Sequence, residues 1–218
     1  MKNNRLTPVI FAIVCGIIIA AFGCGGGSSA EKLATNEILG NLPNLVYQKA
    51  FSDSVRRDQR DVEMDKLKGS NISDWEKAAK ITEKYKIHKK EEDAKFEAEI
   101  EKIKPQLVGK DIPFEVEEGL GYEVTSGKIT DVSSNGLVSV EVEVKITDIK
   151  TADIPRFSKK LITKVLEIDK NGNQIGTENV FYVDLTDSEN GATGKATKYI
   201  YVSKEKVDFA KIKFIKAK

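Results

Sequence analysis

Val138, Val140, Val142, Val144 and Ile146 alternate without a break with Ser139, Glu141, Glu143, Lys145 and Thr147. One face of this stretch is aliphatic and the other polar, the pattern of a half-buried strand in an antiparallel sheet. Shorter runs of the same kind occur at Ile112–Glu117, Lys128–Ser133, Leu161–Asp169, Val180–Leu185, Lys198–Ser203 and Asp208–Lys216. Asn135-Gly136 and Asn171-Gly172 lie between such runs and predict hairpins with type I′ turns, and Asn190-Gly191 introduces a further strand. About seven or eight short strands at regular spacing predict an all-β sandwich for residues 106–218.

Upstream the apolar period changes to that of a helix. Tyr47, Phe51, Val55 and Val62 share one side of a helix running from near Leu45 to Lys68, with Gly69 as its left-handed C-cap. Ser73-Asp74-Trp75-Glu76 reads as a capping box opening a second helix, which carries Ala78, Thr82, Tyr85, Phe96, Ile100 and Ile103 on one stripe and ends before Pro105. Lys89 and Glu92 interrupt that stripe. Residues 44–105 therefore predict an antiparallel helical hairpin whose apolar stripe needs a partner. The fold class expected is α+β, a helical hairpin followed by an antiparallel immunoglobulin-like β-sandwich.

The N-terminus has a different pattern. Lys2 and Arg5 precede an apolar run from Val9 to Phe22, followed by Gly23, Cys24 and the tether-like Gly25-Gly26-Gly27-Ser28-Ser29. The run is short for a bilayer span. This segment resembles the signal of bacterial lipoproteins, with Ala21 where that family usually carries Leu. The resemblance implies a signal peptide over 1–23, lipid attachment at Cys24, a lipidated cysteine and tether over 24–43, and a place in the cell envelope. Gly25 in place of Asp after the cysteine favours the outer membrane, with either face open.

Composition narrows the function. The 218 residues carry 35 Lys and Arg against 34 Asp and Glu. Such near-neutrality leaves no electrostatic case for nucleic acid. Cys15 lies in the apolar run, so the mature chain keeps Cys24 as its single cysteine. An exported domain without a disulfide has to rely on its hydrophobic core. The hairpin's dense mixed charge points to solvated faces stitched by i,i+4 pairs.

Leu166-Glu167-Ile168-Asp169-Lys170-Asn171-Gly172-Asn173-Gln174-Ile175-Gly176 ends a strand in an acidic residue, turns through glycine and restarts apolar. Here the chain resembles the immunoglobulin-like, FxLYD-like modules of envelope lipoproteins, over roughly residues 112–215. What the resemblance implies is a binding or spacer module without catalysis.

Candidate chemistry is sparse. Asp169-Lys170-Asn171-Gly172-Asn173 opens like a calcium loop, but Gln174 replaces the sharp-turn Gly and Val180 the bidentate Glu, so a hairpin turn is expected. His88, the single histidine, sits in a charged helical segment, which favours exposure over a zinc or triad role. Asp184, Asp187 and Glu189 form the least implausible carboxylate group for a glycan-directed enzyme. Tyr199 and Tyr201 share one strand face, which either packs under the hairpin, the favoured placement, or stays exposed to stack on sugar or peptide. Trp75 reads as a docking residue.

These readings predict no cofactor, no metal and no catalytic residue. The function expected is a non-catalytic envelope lipoprotein that reaches the membrane through lipid on Cys24 and binds or scaffolds an envelope protein or glycan. The alternatives are a carbohydrate- or peptidoglycan-directed enzyme using the carboxylates, and a structural protein self-associating through its helices.

Overall fold

The computed structural model describes residues 31, 33–67 and 72–217. The signal segment, Cys24, Gly25–Ser29 and the Gly69 cap lie outside the described residues. Leu33–Lys218 form one compact unit. Among the described residues two helices, α1 (Leu42–Asp65) and α2 (Ile72–Leu107), precede seven strands. The strands are β1 (Phe114–Val116), β2 (Tyr122–Val132), β3 (Leu137–Ile146), β4 (Lys160–Asp169), β5 (Gln174–Leu185), β6 (Thr193–Tyr201) and β7 (Phe209–Ile215), with a 3-10 turn at Lys204–Asp208 ahead of the last. The protein is α+β.

All seven strands belong to one sheet of order β1-β7-β4-β5-β6-β3-β2, antiparallel except for the parallel β1–β7 pair. The sheet rolls into a barrel-like form, in place of the two facing sheets of the expected immunoglobulin-like sandwich. Residues 109–116 make the closure. Gly109 and Ile112 donate backbone bonds to Ile129 and Gly127 of β2, and two residues later the same segment pairs with β7. Alternation alone does not distinguish these outcomes, because a sandwich and a barrel both bury every second residue. The interior holds Val138, Val140, Val142, Val144 and Ile146 from β3, with Ile129, Leu161, Val165, Val183, Ile200, Ile212 and Phe214. Tyr122 and Phe181 meet Phe214 edge-on, with centroids 6.5 and 6.1 Å apart.

The hairpin turns differ from the expected type I′. Asn135 and Asn171 keep negative φ, and only the following glycines, Gly136 at +82° and Gly172 at +87°, are left-handed. Gly136 N–H bonds to the Ser133 carbonyl and Ser133 N–H to the Leu137 carbonyl. That is a type I turn closed by a left-handed glycine, the longer hairpin solution.

The helices stand antiparallel, and their base belongs to the barrel core. Leu39, Leu42, Ile100 and Leu107 are almost fully buried in it. A Cβ on Gly136 would lie 2.7 Å from Val46 Cγ2, which shows how closely α1 lies on the β2–β3 turn. α1 begins earlier than the apolar stripe predicts, with Pro43 in its first turn. α2 begins at Ile72, placing Ser73 inside its first turn, and runs through Pro105 to Leu107. Burial of Leu107 carries the helix past the proline, and Gly109, at φ +89°, supplies the stop.

Away from the base, charge replaces apolar packing. Lys49 pairs with Asp93, Arg56 with Asp53 and Glu92, and Lys84 and Tyr85 with Glu63. A 36-residue helix is about 54 Å long, so the hairpin projects roughly 35 Å beyond Phe96. Hydrogen bonds from Lys49 and Lys89 hold the Asp93 carboxyl below its usual range, and those from Lys84 and Tyr85 do the same for Glu63. For Asp53 burial acts upward, yet Lys49 and Arg56 outweigh it. Depressed carboxylates lend stability that is present above their unfolded pKa and lost as pH falls through the folded one. Below about pH 4 the outer hairpin is therefore expected to melt while the barrel persists. Ellipticity at 222 nm falling before the near-ultraviolet tyrosine signal is the expected result, and a single coincident transition would contradict it.

Candidate binding site where two strands part

β6 is paired along its whole length on one side, each of its nine residues facing one of β3. On its other side it meets β5 only at Asp184↔Lys195 and Leu185↔Gly194. Gly194 is what allows that approach, since a Cβ there would lie 2.5 Å from the Asp184 carbonyl oxygen. Beyond this junction the strands part. β5 bulges away from β4, with Leu166 alone opposite Gly176, Thr177 and Glu178, and residues 176–180 are exposed. From the far end of β6 the chain crosses to β7 by the 3-10 turn, where the Asp208 carbonyl takes the Lys170 N–H. The opening is thus framed by β5, β6, their junction and this crossover.

The backbone on both sides of the opening has a definite direction. In an antiparallel ladder alternate residues turn both N–H and C=O to the same neighbour. The Thr193 carbonyl accepts from Thr186 N–H, across the β5–β6 side. Thr197, Tyr199 and Tyr201 have the same parity and face the opening, as do Val180 and Tyr182 of β5. The Tyr199 carbonyl is taken by the Lys198 ammonium at 3.0 Å, as that direction requires. These residues also point outward and expose apolar surface: Tyr199 is 48% exposed, Tyr201 74%, Tyr182 57% and Val180 49%.

Behind this rim lies a buried charge cluster. Glu167 of β4, Lys198 of β6 and Lys206 of the 3-10 turn are each under a tenth exposed. Glu167 Oε1 is 3.0 Å from Lys198 Nζ, and its other oxygen accepts from Lys206. Two ammonium groups share one carboxylate, leaving one net positive charge inside the barrel wall. Burial pushes Lys198 down and Lys206 to about 8.

The residues singled out from the sequence fall elsewhere or in unexpected settings. Tyr199 and Tyr201 do not pack under the hairpin, because the helices rest on the β2–β3 turn and leave the outer face of β6 open. Trp75, expected to dock, is 77% exposed near the far end of α2. His88 is exposed and lies edge-on to the Tyr85 ring at 6.0 Å. Asp184 pairs with Lys160 at 3.4 Å, Asp187 with Lys159 at 3.3 Å, and Glu189 is exposed. The Ser188 N–H and Lys159 hold Asp187 below its ordinary pKa, opposite to the shift a general acid needs. Asp169 accepts from the N–H groups of Asn171 and Asn173, so its carboxylate is used by its own turn. Among the described residues no group of three His, Cys, Asp or Glu is placed to hold a metal ion, and no helix is long and apolar enough to cross a membrane.

Glu167, Lys198 and Lys206 were not foreseen. The signal was present for Lys198, which has the parity of the buried Ile200, and for Glu167, a lone charge in Val165-Leu166-Glu167-Ile168. At the opposite end of the barrel an open depression of about 500 Å³ is lined by Glu117, Glu118, Glu123 and Asp148. Glu117 accepts the Lys216 N–H and Asp148 that of Lys150, so two of the four have backbone partners. No family model, curated protein or solved structure matches the chain.

Proposed function

We propose that this chain is a non-catalytic binding module of the cell envelope, tethered through lipid on Cys24, and that it presents the rim between β5 and β6 to an envelope partner. The observation that carries the binding role is the rim itself, where unpaired backbone edges and exposed Val180, Tyr182, Tyr199 and Tyr201 coincide. Soluble domains seldom leave a flat, aromatic strand edge uncovered without a use for it. The tether rests on the lipoprotein-like segment ending at Cys24.

Two measurements in the native host test the two halves of the proposal. Intact mass and membrane fractionation are expected to find an acylated species beginning at Cys24, released to the soluble fraction by Cys24→Ala. A soluble, unmodified native protein removes the anchor. A photocrosslinking residue at Tyr201 is expected to give discrete adducts that the same residue at Lys86 on α2 does not. Equal adducts from both positions, or none from either, remove the rim as the binding surface.

A further inference from the structure

We infer that the open edge of β6 is a strand-addition site for an extended segment of a partner protein that carries a carboxylate side chain. This inference rests on the binding reading above and specifies its ligand.

The backbone argues for an extended chain. Thr197 and Tyr201 present N–H and C=O groups and Tyr199 its N–H, the Tyr199 carbonyl accepting from Lys198 at 3.0 Å, and no described strand pairs with them on that side. Only another polypeptide in extended form supplies donors and acceptors at the matching repeat, which is how sheet edges recruit peptides. Exposed edges are ordinarily blocked by a proline, a bulge or an inward charge. β5 has such a guard in its bulge opposite Leu166. β6 has neither a proline nor a break in register; its guard is the inward charge of Lys198, which a carboxylate on an added strand would neutralise, and the stretch from Ala196 to Tyr201 accommodates about six residues.

The charge cluster selects the side chain. A residue added opposite Lys198 points to the inner face, beside two ammonium groups that share Glu167. A carboxylate there balances the remaining charge, whereas a lysine adds a third cation to a desolvated site. The residues before and after it point outward beside Tyr199, Tyr201 and Tyr182, where β-branched or aromatic side chains pack best. The occupant is therefore a short alternating segment with one inward Asp or Glu. The chain's own residues 1–30 contain neither Asp nor Glu, so they do not meet this requirement.

The test titrates the full-length protein with a fluorescein-labelled ten-residue peptide that alternates Val and Thr around one central Glu and carries Lys at both ends. Saturable anisotropy is expected. Replacing the central Glu by Gln is expected to weaken binding roughly ten-fold or more, the loss of a charge-assisted bond. Replacing it by Lys, or N-methylating alternate backbone nitrogens on one edge, is expected to abolish it. Tyr199→Pro removes an N–H that faces the opening and spares the bonds to β3, so it is expected to abolish binding. Hydrogen exchange in the unaltered protein, which depends on no variant folding, is expected to show Thr197, Tyr199 and Tyr201 amides protected by the Glu peptide.

Equal affinity for the Glu and Lys peptides overturns the carboxylate assignment. Absence of binding, or protection confined to other strands, overturns strand addition. Protection of the same amides without peptide, accompanied by dimers in sedimentation, replaces the partner with a second copy of this chain. Binding of an N-acetylglucosamine oligomer at the tyrosines without amide protection replaces it with a glycan. If discrete Tyr201 adducts form in cells while every peptide fails, the binding module survives and strand addition does not.

Discussion

Replacing Glu167 with Gln is expected to destabilise the folded protein by about 3–5 kcal/mol at pH 7, the usual cost of removing one partner from a buried ion pair. Among the described residues Glu167 is the one carboxylate paired with Lys198 and Lys206, and all three side chains are under a tenth exposed. Without it two ammonium groups remain in the barrel wall with no counter-charge. The effect has a defined pH dependence. Burial already lowers both lysines. An unfolded lysine keeps its proton to about pH 10.4, so above the folded pKa the unfolded chain binds more protons and rising pH favours folding. The deficit of Glu167→Gln relative to wild type should therefore shrink between pH 7 and pH 10. Urea denaturation at both pH values measures this, and a deficit that stays constant or grows would show that the lysines do not carry the cost. Replacing the three residues together by Leu, Met and Met is expected to restore stability, because an apolar cluster of similar volume avoids desolvating charge.

The second large effect is at Gly194. The junction of β5 and β6 consists of two residue pairs, and one of them is Leu185↔Gly194. A methyl group on Gly194 would sit 2.5 Å from the Asp184 carbonyl oxygen and 2.8 Å from Val183 Cγ1. The first of these is backbone and cannot rotate away, so β5 and β6 must separate. Gly194→Ala is expected to cost about 1–3 kcal/mol or somewhat more, as overpacking does. Its signature should be local. Amide exchange should rise at 183–186 and 193–195, while β2–β3 and β4–β7 keep their protection. Uniform loss across the barrel would show that the junction has no independent role. Because the junction closes one end of the framed opening, the same variant should also widen the surface available to a partner on β6.

Much of the architecture is legible from local pattern. Each of the seven strands overlaps one of the alternating runs, and the three Asn-Gly pairs mark three connections between them. Strand starts differ most: β2 begins at Tyr122 against the expected Lys128, β5 at Gln174 against Val180 and β6 at Thr193 against Lys198. β5 extends from the expected Val180 back to Gln174 across an exposed bulge, which carries no apolar alternation to read. The helices are legible as a charged hairpin, but the end of α2 is not. Pro105 signals a stop locally, and the burial of Leu107 overrides it. The turn type was misread for a similar reason. Asn-Gly favours type I′ in a two-residue loop, and the pairing of Ser133 with Leu137 makes the loop longer.

The candidate site was legible only in part. Tyr199 and Tyr201 share a face by simple parity, but whether that face is covered depends on where the hairpin rests. Its base is held by Leu42, Val46, Phe96 and Ile100 over the β2–β3 turn, a placement that no local periodicity encodes.

The sequence by itself determined which residues are helical and which extended, which side of each strand is apolar, and that the hairpin's outer length is held by charge. These are properties of neighbours along the chain, where propensity and period act directly. Only the tertiary structure decided that the strands form one rolled sheet, that β5 and β6 part after two pairs, and that Glu167, Lys198 and Lys206 meet behind the gap. Those outcomes depend on contacts between residues distant along the chain, 9 positions for Leu185↔Gly194, 39 for Glu167 with Lys206 and 98 for Phe114↔Ile212, set by strand order and barrel closure.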